Sequence, residues 1–317
     1  MTQRDTFISC LFEKAKKDKD IIMISVDMGA PTLDIWREEL PDQFFATGIS
    51  EQHSINFAAG LAATGKKVYV YFMASWVARC FEQIRYSCAM GDNPITILGN
   101  GVALGYTPAG PAHSPNEDIG YMRTICGIEV ISPANTNMTK GLVDLTLNEP
   151  KLRYIRLERK YSSEMEDEYK DSNSFFLNTG VSLVKPGLSE DKNDKPKIAL
   201  ISSGYMLGRA LNVWLELIKE GYEISVFDLW KIKPINGKFL SEKLNHYDTI
   251  ITLEEQTLDG CFGSAICEVL SDFNLNKKVL RLGLPEGYIF DNGSRDHLLD
   301  TNGLSIDNIK NKITEFV

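Results

Sequence analysis

The chain has 317 residues, 43% of them hydrophobic, enough to bury two cores of ordinary size, so two domains are expected. A formal net charge of −9 argues against a nucleic-acid or anionic-membrane surface, although a local basic pocket stays possible. The opening Met-Thr-Gln-Arg-Asp-Thr-Phe lacks the basic end and apolar core of a signal peptide, and no apolar run approaches a membrane span, so a cytoplasmic protein is expected.

Short β-rich runs alternate with helical stretches, the pattern of mainly parallel sheets covered by helices. The spacing predicts helices over 7–17, 54–64, 75–89, 118–125 and 139–147. Between them it predicts strands over 21–26, 67–72, 95–99, 129–131 and 152–157. Residues 162–174 are polar and acidic, with too few apolar side chains to build a core. A first domain over 1–160, a linker over 161–178 and a second domain over 179–317 follow. The second begins with an edge strand near 180–185 and a charged loop over 188–197. Strand, helix and strand then recur at 197–202, 208–219 and 223–228, and again at 249–253, 263–272 and 278–282. The fold class is α/β, two domains, each a mainly parallel sheet flanked by helices. Six cysteines, at 10, 80, 88, 126, 261 and 267, form no Cys-x-x-Cys pair and read as reduced, mostly core thiols.

One residue breaks the apolar pattern. Glu51 stands in Thr47-Gly-Ile-Ser-Glu-Gln-His-Ser-Ile-Asn-Phe-Ala-Ala-Gly-Leu61, a segment otherwise built for burial. A carboxylate against a small-residue helix is poorly solvated, which suits it to hold or exchange a proton. Its ordinary reading is helix-start chemistry, with Ser50 as N-cap and Glu51 at the positive end of the helix. Trp76, in Tyr71-Phe-Met-Ala-Ser-Trp-Val-Ala-Arg-Cys80, reads by itself as core, and Arg79 as an exposed cation. Gly101-Val-Ala-Leu-Gly-Tyr-Thr-Pro-Ala-Gly-Pro-Ala-His-Ser-Pro115 is a long Gly/Pro loop. Its Gly-x-Gly spacing is too common to indicate a dinucleotide.

Gly48-Ile-Ser-Glu-Gln-His53 and the small-residue helix closing on Gly60-Leu-Ala-Ala-Thr-Gly65 resemble the pyrimidine-binding domain of the transketolase and deoxyxylulose-phosphate synthase family. Asp228-Leu-Trp-Lys-Ile-Lys-Pro-Ile235 and Thr252-Leu-Glu-Glu-Gln-Thr-Leu-Asp-Gly-Cys-Phe-Gly-Ser264 look like that family's C-terminal domain, which carries no catalytic group of its own. The resemblance implies thiamine diphosphate as cofactor, with Glu51 contacting N1′ of the aminopyrimidine and driving the proton transfers that prepare C2. It implies Trp76 as the ring stacked on the pyrimidine, Met73 at a second wall position that is aromatic in relatives, and Arg79 in the place of the synthase branch's arginine. His113, in Gly110-Pro-Ala-His113, matches a histidine that contacts donor oxygens and moves protons there. Arg159, closing Arg156-Leu-Glu-Arg159, matches an arginine that grips an anionic substrate end; alone it reads as a solvated strand terminus.

The chain departs from the pattern at Ala109 and Ala112, where sugar-using relatives carry an aspartate and a threonine, which puts a standard ketose phosphate donor in doubt. The family's Gly-Asp-Gly and Asn-Asn motif for Mg²⁺ and the diphosphate is also missing, Gly91-Asp-Asn93 being the nearest string. The resemblance therefore implies a split transketolase. A partner carries the diphosphate and metal half, in an α2β2 heterotetramer that passes a two-carbon ketol unit from a small sugar or sugar-phosphate donor to an aldehyde. A pyruvate-using carboligase subunit and a 2-oxoacid dehydrogenase E1 β subunit are the alternative enzymes, and a catalytically dead interaction subunit the non-enzyme one.

Overall fold

The computed structural model describes residues 1–159, 179–187 and 196–317. The expected linker, 161–178, and most of the charged loop, 188–195, lie outside these residues. The first part of the chain runs α1 (Gln3–Ala15), β1 (Ile21–Ser25), α2 (Pro31–Glu39), β2 (Phe44–Ala46), α3 (Glu51–Ala63), β3 (Lys67–Met73), α4 (Phe81–Gln83), β4 (Ile95–Asn100), α5 (Asp118–Met122), β5 (Glu129–Ile131), α6 (Thr136–Asn148) and β6 (Arg153–Leu157). The second runs β7 (Ser182–Lys185), β8 (Ile198–Ser202), α7 (Met206–Lys219), β9 (Ile224–Asp228), β10 (Lys231–Lys233), α8 (Gly237–Leu244), β11 (Thr249–Thr257), α9 (Phe262–Asp272), β12 (Lys278–Leu284), α10 (Arg295–Leu299) and α11 (Ile306–Phe316).

Seven strands form one sheet in the order β10-β5-β6-β4-β3-β1-β2, and five form the other in the order β12-β11-β8-β9-β7. All pairs in the first sheet are parallel except β10 on β5, and all in the second except the edge strand β7 on β9. Central strands such as β1, β4, β8 and β9 are buried at every position, as sheets covered on both faces require. The α/β expectation holds, with one refinement. β10 follows the second sheet's β9 in sequence yet pairs with the first sheet, so the sheets are not partitioned cleanly along the chain.

The two parts share their cores. Ile131 and Ile155 of the first sheet belong to the same buried apolar cluster as Leu200 and Ile251 of the second. Polar ties reinforce the junction. The Ser132 amide donates to the Trp230 carbonyl at 2.8 Å and the Thr257 amide to the Asn116 carbonyl at 3.2 Å. Arg295, 2% exposed, divides its guanidinium between Glu158 at the end of β6 and Glu255 of β11.

Candidate active site

The sequence candidates gather at the carboxyl ends of the first sheet's parallel strands. β2 and β3 lie on opposite sides of β1, so the direction of winding reverses between β1 and β3. The crevice beyond such a reversal is where open α/β sheets hold ligands. Glu51 follows β2, the Trp76 turn follows β3, the glycine and proline loop follows β4, and Arg159 follows β6.

Glu51 opens α3. The helix buries Glu51, Ser54, Ile55, Ala58, Ala59 and Ala62, spacings of three and four that set the carboxylate and a strip of small side chains on one face. Glu51 does stand in the first turn, as the helix-start reading expects, but the Ser50 cap of that reading is not made. Ser50 occupies the N-cap without a cap bond, and its hydroxyl donates instead to the Thr47 carbonyl at 2.8 Å. Glu51 is 4% exposed, and its one polar partner among the described residues is Arg79, whose Nη1 lies 3.5 Å from Oε2. Burial and the neighbouring Glu51 carboxylate push the Cys80 thiol up to about 12, which makes that cysteine an inert core thiol.

The helix expected over 75–89 is not regular. A 3₁₀ segment spans Ala74–Cys80, one turn of α-helix follows, and a π segment spans Ile84–Met90. In a 3₁₀ turn, residues three apart eclipse one another. That geometry brings the Arg79 guanidinium over the Trp76 ring, 5.1 Å from its centroid. Gln52 of α3 holds the turn by donating to the Arg79 carbonyl at 3.1 Å. Trp76 is half-buried rather than core, and Met73, 8% exposed, ends β3 just before it. His113 also meets Trp76 edge to face, with ring centroids 5.5 Å apart. Its Nδ1 is 3.1 Å from the Ala109 carbonyl, which can only accept, so Nδ1 carries the proton and Nε2 is left as the free acceptor. Glu51, Arg79, Trp76 and His113 thus form one chain of contacts, with Met73 beside it.

Arg159 belongs to an adjoining group. The end of β6 is buried through Glu158 and only Arg159 is exposed. Arg156 is buried, its Nε donating to Asp118 at 2.7 Å and its Nη1 to Ser132 at 3.1 Å. Glu158 turns inward to Arg295, while Arg159 is exposed and lies 4.4 Å over the Tyr106 ring. Asp118, fully buried, also accepts from the Tyr154 hydroxyl at 2.8 Å and the Ile119 amide at 2.9 Å, anchoring the loop that carries His113 to the sheet beneath. Tyr106 and Asn100 were not singled out from sequence. Asn100 Nδ2 donates to the Tyr106 hydroxyl at 2.7 Å, and the only signal was an aromatic residue inside a glycine-rich loop.

Comparison with known proteins places the chain in a family. Residues 1–163 match the transketolase pyrimidine-binding domain and residues 187–309 the transketolase C-terminal domain, so the chain belongs to the transketolase family. It is 30% identical to one of the subunits of the apulose-4-phosphate transketolase of Phocaeicola vulgatus, over 99% of this chain and 97% of that one. It is 27% identical to 1-deoxy-D-xylulose-5-phosphate synthase of Aquifex aeolicus over 99% of this chain, spanning about half, 48%, of the synthase. Among solved structures, a protein described as a split gene transketolase, inactive beta4 tetramer, superposes with a TM-score of 0.86 at 26% identity, covering 100% of this chain and 98% of that one.

Proposed function

We propose that this chain is the pyrimidine-binding half of a split, thiamine diphosphate-dependent transketolase. The observation that carries the reading is Glu51, a carboxylate 4% exposed at the switch point, with a single long contact to Arg79 among the described residues. An oxygen so placed has capacity left to accept a hydrogen bond from a ring nitrogen, and the half-buried Trp76 and the Met73 thioether offer the apolar wall that an aromatic heterocycle needs. These residues fit the aminopyrimidine of thiamine diphosphate. Bound there, the cofactor supplies the electron sink that lets a carbon–carbon bond beside a carbonyl break and a new one form to an aldehyde.

Glu51 holds the proton at the pyrimidine nitrogen, and burial keeps water from competing for it. Trp76 and Met73 would line the ring, with Arg79 held over Trp76. His113 presents Nε2 to the donor oxygens and moves protons there, held in that tautomer by the Ala109 carbonyl. Arg159 takes the anionic end of a small sugar or sugar-phosphate substrate. Among the described residues no group of three or more histidines, cysteines, aspartates or glutamates is placed to hold a metal ion. On the missing Gly-Asp-Gly and Asn-Asn motif, we assign Mg²⁺ and the diphosphate to an N-terminal transketolase subunit, in an assembly of two copies of each chain. The name of the Phocaeicola relative, which makes it one subunit of a transketolase, supports such a partner. Among the described residues no helix is long and apolar enough to cross a membrane, which is compatible with a cytoplasmic location.

Arg79 and Ala109 favour a second reading, a carboligase that takes pyruvate in the manner of the synthase relatives, and release of carbon dioxide separates the two. Co-purification with the partner and assay of ketol transfer tests the first. Glu51→Gln should lower turnover at least about 100-fold, the scale of a lost proton-transfer group, with an unchanged circular dichroism spectrum. Turnover within a few-fold of the parent would sink the assignment.

A further inference from the structure

The Tyr106 ring is held at its edge. There the backbone of Gly101, just after β4 with φ +73°, comes so close that a Cβ would fall 1.8 Å from Tyr106 Cε2 and 2.1 Å from Cδ2. Only glycine lets the ring lie there. Over the ring lies the Arg159 guanidinium, 4.4 Å from the centroid. The hydroxyl is pinned by Asn100, whose amide donates at 2.7 Å from a side chain that is fully buried. Burial raises the Tyr106 phenol, while the charges of Arg159 and Arg4 oppose the rise.

Arg159 makes no ion pair with a carboxylate among the described residues, because its acidic neighbour Glu158 is engaged by Arg295. An exposed arginine stacked on an anchored ring, with its fork unpaired, is pre-organised for an anion. We propose that Tyr106 is a positioning residue of the donor pocket, holding Arg159 in place so that donors ending in a phosphate are selected over those without one; this rests on the ketol-transfer reading above.

The test uses the assembled enzyme with a phosphorylated ketose donor and its non-phosphorylated counterpart. Tyr106→Leu fills the space over Gly101 but removes the aromatic face. The ratio of kcat/KM between the two donors should fall about fivefold to tenfold, with the change carried by KM, as expected for a lost cation–π stack. Tyr106→Phe keeps the face and should restore the ratio to within about twofold. An unchanged ratio in Tyr106→Leu, or an equal fall in Tyr106→Phe, overturns the proposal. If the parent assembly turns over neither donor, the ketol-transfer reading fails instead, and ³¹P line broadening of inorganic phosphate by the full chain decides on Tyr106. Binding at least about threefold weaker in Tyr106→Leu than in the parent and Tyr106→Phe supports it, and equal binding in all three overturns it.

Discussion

Replacing Arg295 with methionine should destabilise the chain more than any single surface change. Arg295 is 2% exposed, and its partners Glu158 and Glu255 are 5% and 3% exposed. Nε donates to Glu255 at 2.9 Å, Nη1 to Glu158 at 2.5 Å and Nη2 to Glu158 at 3.0 Å, and Nη2 also meets Glu255. The guanidinium further stacks on Tyr205, 3.7 Å from the ring centroid. Removing one partner of a buried ion pair costs about 3–5 kcal/mol through the charge left behind, and here two carboxylates lose the same cation, which points to the upper half of that range. With a urea m-value of about 3 kcal/mol/M, the midpoint falls by more than about 1 M at pH 7.5. The pH arm has a definite sign. Burial already holds Glu255 above the ordinary carboxyl range, against the pull of Arg295. Without the arginine that rise is larger, and a carboxyl raised in the folded state costs stability as pH rises through the window between its unfolded and folded values. The deficit of Arg295→Met is therefore greatest at pH 7.5 and shrinks at pH 5. Urea unfolding followed by tryptophan fluorescence at both pH values measures it, with Glu158→Gln and Glu255→Gln added to the methionine variant to recover part of the loss. A deficit below about 1 kcal/mol at pH 7.5, or one that does not change with pH, refutes the reasoning.

Three further outcomes follow from the same geometry. Trp76→Ala should weaken thiamine diphosphate binding by the assembled enzyme about tenfold, the loss of a stacked ring, when followed by calorimetry; unchanged affinity would remove Trp76 from the pocket. His113→Gln should lower kcat about 100-fold with little change in cofactor affinity, and an unaltered kcat would limit His113 to packing against Trp76. Glu254, 2% exposed, accepts the Phe262 and Gly263 amides at 2.9 and 2.8 Å, and burial outweighs these bonds to push its carboxyl up to about 8. Folded-state stability should then fall as pH rises from the ordinary carboxyl range to about 8, by up to about 1.4 kcal/mol per unit, and Glu254→Gln should flatten that slope in urea titrations.

Much of the fold was legible because its signals are local. The apolar runs at 95–99 and 198–202 are strands buried on both faces, and the small-residue face of α3 could be read from spacing alone. β7 sits at an edge, as expected near 180–185, and the structure adds that it pairs antiparallel. What escaped depends on distant partners. α2 buries only Leu33 and Trp36 over nine residues, too few for a periodic signal. β10 has three residues and owes its place to β5, on the other sheet. The turn after β3 looked helical by composition, yet it tightens where α3 packs against it and Gln52 bonds the Arg79 carbonyl. At the site, the Glu51 segment was readable because a carboxylate among alanines is conspicuous. Tyr106 was not, since nothing in a glycine and proline loop tells that its ring abuts Gly101 and lies beneath Arg159. Nor does sequence show that Arg295 meets Glu158 across 137 residues.

Titration calorimetry of thiamine diphosphate with Mg²⁺ addresses the central claim most directly, run on the purified chain and on the chain co-expressed with its partner, together with native mass. The split-site account predicts saturable binding only in the complex, with a mass of two plus two chains. Tight binding by this chain alone would contradict it, because the diphosphate and metal would then be held by residues of this chain rather than by a partner.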